Sequence, residues 1–284
     1  MDTKLQNAES YIETGRFQKA LDLLSEIIDA EDNTRAYQLR GFAHYNMHNF
    51  DSAIADLMYV VKHDEGAHLA HFYLSQIYSL MGEFTHAREN IERAIAIDNE
   101  NPDYLGDYVT IEQSLKNYQH SIELCNQILD ETPDSNFAYI ARGFANMQLG
   151  HIDAAIDDLE HAVKESPYDF SGWNNLGIAY MKKGEHEKAF RCFHTALQYN
   201  PNNPDAFSYM GYLYHAKGDH TKALKYINKS IDIEAMNPNA FKHRALVYLA
   251  IKETEKAKSD LIQAQELGYA DYYDNEVEEL LKNF

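Results

Sequence analysis

Residues 173–201 read WNNLGIAYMKKGEHEKAFRCFHTALQYNP, and this stretch decides the fold. Its apolar residues recur at helical spacing on both sides of Gly184, which stands where a chain leaving a helix often needs positive φ. Pro201 marks the end of the second apolar stretch, because proline lacks the N–H that a helix interior needs. The stretch therefore predicts a helix, a short turn and a second helix.

The same pattern recurs along the chain with a period of 34 residues. Eight repeats result, beginning near residues 1, 34, 68, 102, 136, 170, 204 and 238, and positions within a repeat are counted from these residues. The eighth position is small in all repeats but one, so we expect the two helices of a repeat to approach closely. The twentieth position is the most regular marker: Ala20, Ala53, Ala87, Ser121, Ala155, Ala189, Ala223 and Ala257.

The sixth repeat resembles the tetratricopeptide repeat most clearly, through Trp173, Leu176, Gly177, Tyr180, Gly184, Ala189, Phe193, Ala196 and Pro201. A 34-residue period sustained along a chain is the signature of this family. The resemblance covers residues 1 to about 271 and implies an all-α α-solenoid, a right-handed superhelix of antiparallel helix pairs. It also implies that the first helix of each pair lines a concave groove that binds peptides or proteins, and it implies no catalytic chemistry.

Residues 272–284 form no full repeat and are predicted to be a C-terminal capping helix. Asp274 is the expected N-cap, because a side-chain carboxylate can accept hydrogen bonds from the first helical N–H groups. An apolar stripe at helical spacing would cover the end of the eighth repeat. It consists of Val277, Leu280, Leu281 and Phe284.

The fourth repeat departs most from the pattern. It has Val109 for the small residue, Glu112 for the aromatic residue, Lys116 for the turn glycine and Ser121 for the alanine. A charge at a core position is costly unless it is paired or exposed. Two interpretations stay open: a weak repeat that the fold tolerates, or a flexible joint near the middle of the solenoid.

Helical geometry places positions 2, 5, 9, 12 and 13 of each first helix on the arc opposite the core-packing positions. This arc would be polar if it only met water, yet it is largely apolar and aromatic, which indicates an interaction surface. The alternative is that some of these side chains pack against neighbouring repeats. The candidate groove residues are Phe42, Tyr45, Phe72, Phe137, Ile140, Phe144, Met147, Asn174, Ile178, Met181 and Tyr212.

The net charge of −20 argues against nucleic acid or an anionic membrane as a partner, because both attract a Lys/Arg field. Most of the acidic excess lies outside the groove arc. We therefore expect a protein or peptide partner with hydrophobic or aromatic anchors rather than a basic one. No signal peptide or spanning run is recognised and the two cysteines cannot form a disulfide framework, so a cytoplasmic location is expected.

Some tetratricopeptide proteins bind a chaperone's C-terminal carboxylate through Lys at position 5 and Asn at position 9, with Asn at position 6 of the next repeat. Asn175 is the only asparagine at position 6, and it follows Ile140 and Phe144 at the other two positions. We therefore predict that this carboxylate clamp is absent.

Other chemistry is not favoured either, and no cofactor is predicted. His44 and His48 have the i, i+4 spacing of a metal pair, but core packing and a turn explain them better. Asp157 and Asp158 point about 100° apart on a helix, which we interpret as a solvated face.

The first functional hypothesis is a non-catalytic scaffold or adaptor that binds another protein in its groove. The second is a regulatory solenoid that senses a peptide or ligand and acts through a partner protein. An enzyme with an unrecognised site is the third and least favoured hypothesis.

Overall fold

The computed structural model describes residues 2–99, 101–269, 275–282 and 284, which contain helices and turns but no strand. The helices are α1 (Asp2–Glu13), α2 (Phe17–Ala30), α3 (Thr34–Asn46), α4 (Phe50–His63), α5 (His68–Leu80), α6 (Phe84–Ile97), α7 (Pro102–Ser114), α8 (Tyr118–Glu131), α9 (Asn136–Gln148), α10 (Ile152–Glu165), α11 (Phe170–Lys182), α12 (His186–Tyr199), α13 (Pro204–Ala216), α14 (His220–Ile233), α15 (Pro238–Ala250), α16 (Thr254–Glu266) and α17 (Glu276–Leu281). The odd-numbered helices α1 to α15 are the first helices of the repeats. The predicted all-α, solenoid fold class is confirmed.

Turn chemistry sets the boundaries of these helices. At position 15 of each repeat the backbone has positive φ, which glycine adopts without a Cβ clash, as at Gly184 (φ 82°). The three repeats without glycine there place His48, Lys116 and Lys252 in the same conformation, with φ of 58°, 60° and 65°. Each first helix therefore ends at the same register, whichever residue occupies the turn.

The expected close approach within a repeat is present at the eighth position. A Cβ on Gly177 would lie 2.7 Å from Cε1 of Phe193, and one on Gly143 would lie 2.8 Å from Cγ of Leu159. Both partners stand at position 24 on the second helix of the same repeat and are fully buried. The glycines let the second helix place a large side chain directly against the first.

The chain divides into two compact blocks, Met1–Pro133 and Asp134–Phe284, here called the N-terminal and C-terminal blocks. In the N-terminal block, Leu57, Leu74 and Ile77 are fully buried in the core between α4 and α5. In the C-terminal block, Leu159 and Phe193 are fully buried in a core that extends from α9 to α13. The boundary between the blocks falls at the end of the fourth repeat.

The divergent fourth repeat packs polar groups where other repeats have apolar ones. Glu112 is 1% exposed, and its Oε2 lies 3.2 Å from Nδ1 of His120 on the second helix of the repeat. Gln113 donates a hydrogen bond of 3.1 Å to the hydroxyl of Ser121, which is also buried. Glu112 and Ser121, two of the unusual residues of this repeat, therefore each have a polar partner on the other helix of the repeat.

The last described helix, α17, packs against the eighth repeat. Val277 is 2% exposed and joins a cluster with Leu261 and Ala264, and Leu280 and Leu281 pack against the same cluster. The predicted N-cap Asp274 lies outside the described residues. No helix in the described ranges combines the length and the apolar content that crossing a bilayer requires.

Candidate binding grooves

Five of the predicted groove residues line a single cleft of about 430 Å³ in the C-terminal block, here called the C-terminal cleft. First helices of the fifth to seventh repeats supply them: Phe144 and Met147 from α9, Ile178 and Met181 from α11, and Tyr212 from α13. All these helices present the same face, because one 34-residue period returns a side chain to the same position of the next repeat. The result is an apolar surface that runs across the first helices of the fifth, sixth and seventh repeats.

The remaining predicted residues of this block do not line the C-terminal cleft. Phe137 is 47% exposed, and Ile140 packs against the core. Asn174 is half-buried, and its Oδ1 is buried without a hydrogen-bond partner in the described part of the chain. Met147, although it borders the cleft, is only 3% exposed and belongs to the core. Phe144, Ile178, Met181 and Tyr212, all partly exposed, form the accessible apolar surface.

The polar end of the C-terminal cleft comes from α15. Asn239 is 2% exposed, and its Nδ2 has no hydrogen-bond partner among the described residues. Lys242 is 8% exposed, and its Nζ lies 2.6 Å from Oε2 of Glu276 on α17. His243 is 2% exposed, and its Nδ1 lies 2.8 Å from Oγ of Ser208. The cleft therefore combines an apolar half with a half that offers hydrogen-bonding groups.

Burial holds the pKa of His243 well below its usual value, and the neighbouring cation Lys242 lowers it further. The folded state therefore keeps a neutral imidazole at a pH where the unfolded chain would already bind a proton. We expect the free energy of unfolding to fall as the pH drops below about 6.5, with a slope of up to about 1.4 kcal/mol per pH unit from this group.

Urea titrations between neutral and mildly acidic pH check this expectation. His243→Gln should flatten the slope, whereas His194→Gln, which changes an exposed histidine of the same block, should leave it unchanged. Equal slopes for His243→Gln and the wild type would contradict the assignment.

The N-terminal block carries two smaller clefts on its first helices. Phe42 lines one of about 240 Å³ with Glu9, Arg35 and Leu69. Tyr45 lines another of about 290 Å³ together with Asp107. Loss of hydration on burial raises the pKa of the Asp107 carboxyl, although Gln76 Nε2 donates to it at 3.0 Å.

An aromatic cluster links the three predicted groove residues of this block. The ring of Tyr73 has its centroid 5.0 Å from that of Phe42, 5.7 Å from that of Tyr45 and 5.8 Å from that of Phe72. Tyr73 stands at position 6, outside the predicted groove arc. Position 6 also supplies lining residues elsewhere, namely Leu39, Asp107, Asn175, Tyr209 and His243. A slightly wider arc would have included Tyr73, because position 6 lies only about 20° beyond the arc on a helical wheel.

Three buried ion pairs recur at positions 7 and 23 of the second, fifth and eighth repeats. Arg142 donates to Asp158 through Nη2 at 2.6 Å and Nε at 2.9 Å. The interpretation of Asp158 as part of a solvated face is therefore wrong: it is 8% exposed and paired, whereas Asp157 is exposed. The equivalent pairs are Arg40–Asp56 and Arg244–Asp260, with bonds of 2.7–2.8 Å.

Each of these arginines also lies over the aromatic ring at position 4. The guanidinium carbon is 5.4 Å from the ring centroid of Tyr37, 5.5 Å from that of Tyr139 and 5.3 Å from that of Phe241. The hydrogen bonds to Asp56 and Asp260 raise the pKa values of Arg40 and Arg244, so the charged forms persist. These pairs join the two helices of a repeat and are structural.

The histidines and cysteines do not form a reactive cluster. His44 is half-buried, and burial lowers its pKa, while His48 occupies a turn. No group of three or more histidine, cysteine, aspartate or glutamate side chains within the described ranges is arranged to hold a metal ion. Cys125 and Cys192 are buried and form no disulfide, and burial raises the pKa of Cys192 to about 12, which disfavours the reactive thiolate.

Sequence comparison identifies the repeat. Three family profiles, each described as tetratricopeptide repeat, match residues 170–203, residues 192–225, and residues 70–101 together with 138–169. No curated protein sequence matches the chain.

Solved structures with the same fold are similar at low identity. A tetratricopeptide repeat protein from Parabacteroides merdae has a TM-score of 0.76 and 19% identity, over 88% of this chain and 97% of its own. A chain of the APC/C hetero-tetramer Cut9–Hcn1 has a TM-score of 0.70 and 18% identity, over 99% of this chain and 55% of the matched chain. A thermophilic tetratricopeptide repeat protein of Thermus thermophilus has a TM-score of 0.57 and 19% identity, over 64% of this chain and 98% of its own. The matched stretches lie in the third, fifth, sixth and seventh repeats, which are thereby identified as tetratricopeptide repeats, and the chain has the fold of the solved tetratricopeptide repeat structures.

Proposed function

We propose that this chain is a non-catalytic scaffold that binds a segment of a partner protein in the C-terminal cleft. Tetratricopeptide repeats form protein-interaction scaffolds, and this fold supports that general role. The observation that carries the specific proposal is the apolar half of the cleft, where Phe144, Ile178, Met181 and Tyr212 stay accessible. Aromatic side chains in such a surface are typical anchors of binding energy.

The chemistry of the cleft favours a segment with hydrophobic or aromatic anchors. Ile140, Phe144 and Asn175 stand where a chaperone carboxylate clamp would need Lys, Asn and Asn, so only the last requirement is met. The net charge of −20 argues against nucleic acid and anionic membranes as partners. Cys125 and Cys192 form no disulfide, which fits a reducing compartment and supports a cytoplasmic location.

We also propose that α17 caps the solenoid formed by residues 1–271. Terminal repeats expose the apolar edge that internal repeats bury against a neighbour, so repeat arrays need a cap. Val277 covers this edge at Leu261 and Ala264.

Phe144→Ala and Tyr212→Ala are each expected to weaken binding of the partner by about 2 kcal/mol, because both remove an aromatic anchor from the cleft. The matched control is Tyr168→Ala, which removes an aromatic ring that is 78% exposed and lies outside the cleft. Affinity capture with quantitative mass spectrometry, followed by calorimetry on the captured partner, measures the loss. Partners retained equally by all three variants would refute this use of the cleft.

A further inference from the structure

A second cleft of about 600 Å³ lies on the opposite face of α11, between α10 and α12. Trp173, Leu176 and Tyr180 border it at helical spacing i, i+3 and i+7. Ile178 and Met181 point to the C-terminal cleft instead, about half a helical turn away. The outer cleft, as we call it, is therefore separate from the proposed groove, and its use is independent of the function proposed above.

The floor of the outer cleft is apolar and held in place. Leu176 is 3% exposed and Val163 is 7% exposed, and both belong to the core. The indole of Trp173 is fixed by a hydrogen bond of 2.8 Å from Nε1 to the carbonyl oxygen of Pro167. Cys192, also in the lining, is 5% exposed, and its raised pKa keeps it neutral. The floor thus offers a rigid apolar platform beside an indole ring.

The rim of the outer cleft is cationic in a chain whose net charge is −20. Lys164, Lys188 and Arg191 line it, against a single carboxylate at Glu160. That carboxylate already accepts a hydrogen bond from the hydroxyl of Tyr180. Two of these cations have glutamate partners outside the lining, Lys164 with Glu165 at 3.6 Å and Lys188 with Glu185 at 2.6 Å, so the cationic character of the rim rests mainly on Arg191.

Arg191 is the cation most available to a ligand. Its guanidinium makes no ion pair or side-chain hydrogen bond with any described residue, and the residue is exposed. Glu187, one helical turn before Arg191, forms an ion pair with Lys217, with Oε1 2.9 Å from Nζ. Lys188 pairs with Glu185 at 2.6 Å while its Nζ lies 4.8 Å from the ring centroid of Tyr180. A ligand carboxylate can therefore bind Arg191 without breaking an existing pair there.

We propose that the outer cleft binds an acidic peptide segment of a partner protein in which an apolar side chain is flanked by Asp or Glu. The apolar side chain would rest on Leu176 and Val163 beside Trp173. The flanking carboxylates would contact Arg191 and Lys188, with Arg191 able to bind one in bidentate geometry. A cleft of this volume lies in the range that proteins use for specific ligands.

The test uses Trp173, the only tryptophan of the chain, as the reporter on the full-length protein. The probe is a pool of acetylated, amidated pentapeptides with Phe, Leu or Met at the centre and Asp or Glu at the other positions. Tryptophan emission and calorimetry should both show saturable binding. The affinity for a matched pool with Asn and Gln in place of the acids should be lower by about tenfold, and added salt should weaken binding of the acidic pool.

Matched variants locate the site. Arg191→Gln should weaken binding of the acidic pool by about tenfold, because it removes a charged hydrogen-bond donor. Lys225→Gln is the control, since Lys225 is an exposed cation at the same position of the next repeat. Phe144→Ala should leave the titration unchanged, which separates failure of this proposal from failure of the proposed function.

Three results with the peptide pools would overturn the proposal: no binding of the acidic pool, equal binding of the neutral pool, or equal effects of Arg191→Gln and Lys225→Gln. Binding of phenylpropionate with higher affinity than any peptide in the pool would assign the cleft to a small carboxylate and would also overturn it.

Discussion

Gly211→Val is expected to lower the free energy of unfolding by about 3 kcal/mol, the upper end of the usual cost of overpacking a core. A Cβ at residue 211 would lie 2.4 Å from Cγ1 of Ile227 and 3.0 Å from the backbone oxygen of Ala223. The side chain of Ile227 is fully buried, and the carbonyl of Ala223 belongs to α14, so neither can move without shifting the helix. The loss should appear as a lower urea midpoint.

The control for this variant is Ala216→Val, which introduces the same side chain at an exposed position of α13. It should cost only a few tenths of a kcal/mol, from helix propensity. Adding Ile227→Ala to Gly211→Val should cost less than the sum of the two single changes, because the smaller side chain vacates the space that valine enters. Strict additivity would show that helix contact at Gly211 is not what valine disrupts.

Asp158→Ala is expected to destabilise the protein by about 3 kcal/mol, because it leaves the guanidinium of Arg142 without its bidentate partner. Asp157→Ala removes a neighbouring carboxylate that is exposed and should change stability by less than about 0.5 kcal/mol. Chemical denaturation of the two variants measures the difference.

The double change Arg142→Leu with Asp158→Leu discriminates further. Leu176 occupies the same position in the next repeat and is 3% exposed, so an apolar residue suits this place in the fold. Replacing both charges should recover most of the stability that Asp158→Ala loses. A double variant less stable than Asp158→Ala would show that the pair has a role that apolar packing cannot replace.

The sequence predicts the fold well because each repeat carries its own turn and packing residues. Gly184 fixes a turn and Gly177 fixes a helix contact, and both act within one repeat. The groove arc is also a local property of a helix, which is why Phe144, Ile178 and Tyr212 are found together in one cleft.

The polar residues are less predictable, because their environment depends on a partner in another helix. Glu112 is stabilised by His120, which no helical wheel of α7 contains. Asp158 faces Arg142, a charge at a position that is apolar in four of the eight repeats. His243 lines the C-terminal cleft, and its hydrogen-bond partner Ser208 lies on the preceding first helix, which the sequence of α15 alone does not reveal.

The arginine–aspartate pairs have a consequence for engineering this array. Arg40, Arg142 and Arg244 are 102 residues apart, as are Asp56, Asp158 and Asp260, so the pattern returns every third repeat. Two repeats without an arginine–aspartate pair separate each repeat that has one from the next. Inserting or removing a single repeat would change that number. A cassette of three repeats preserves this spacing, and any cassette cut between repeats leaves each ion pair whole, because both partners lie in the same repeat.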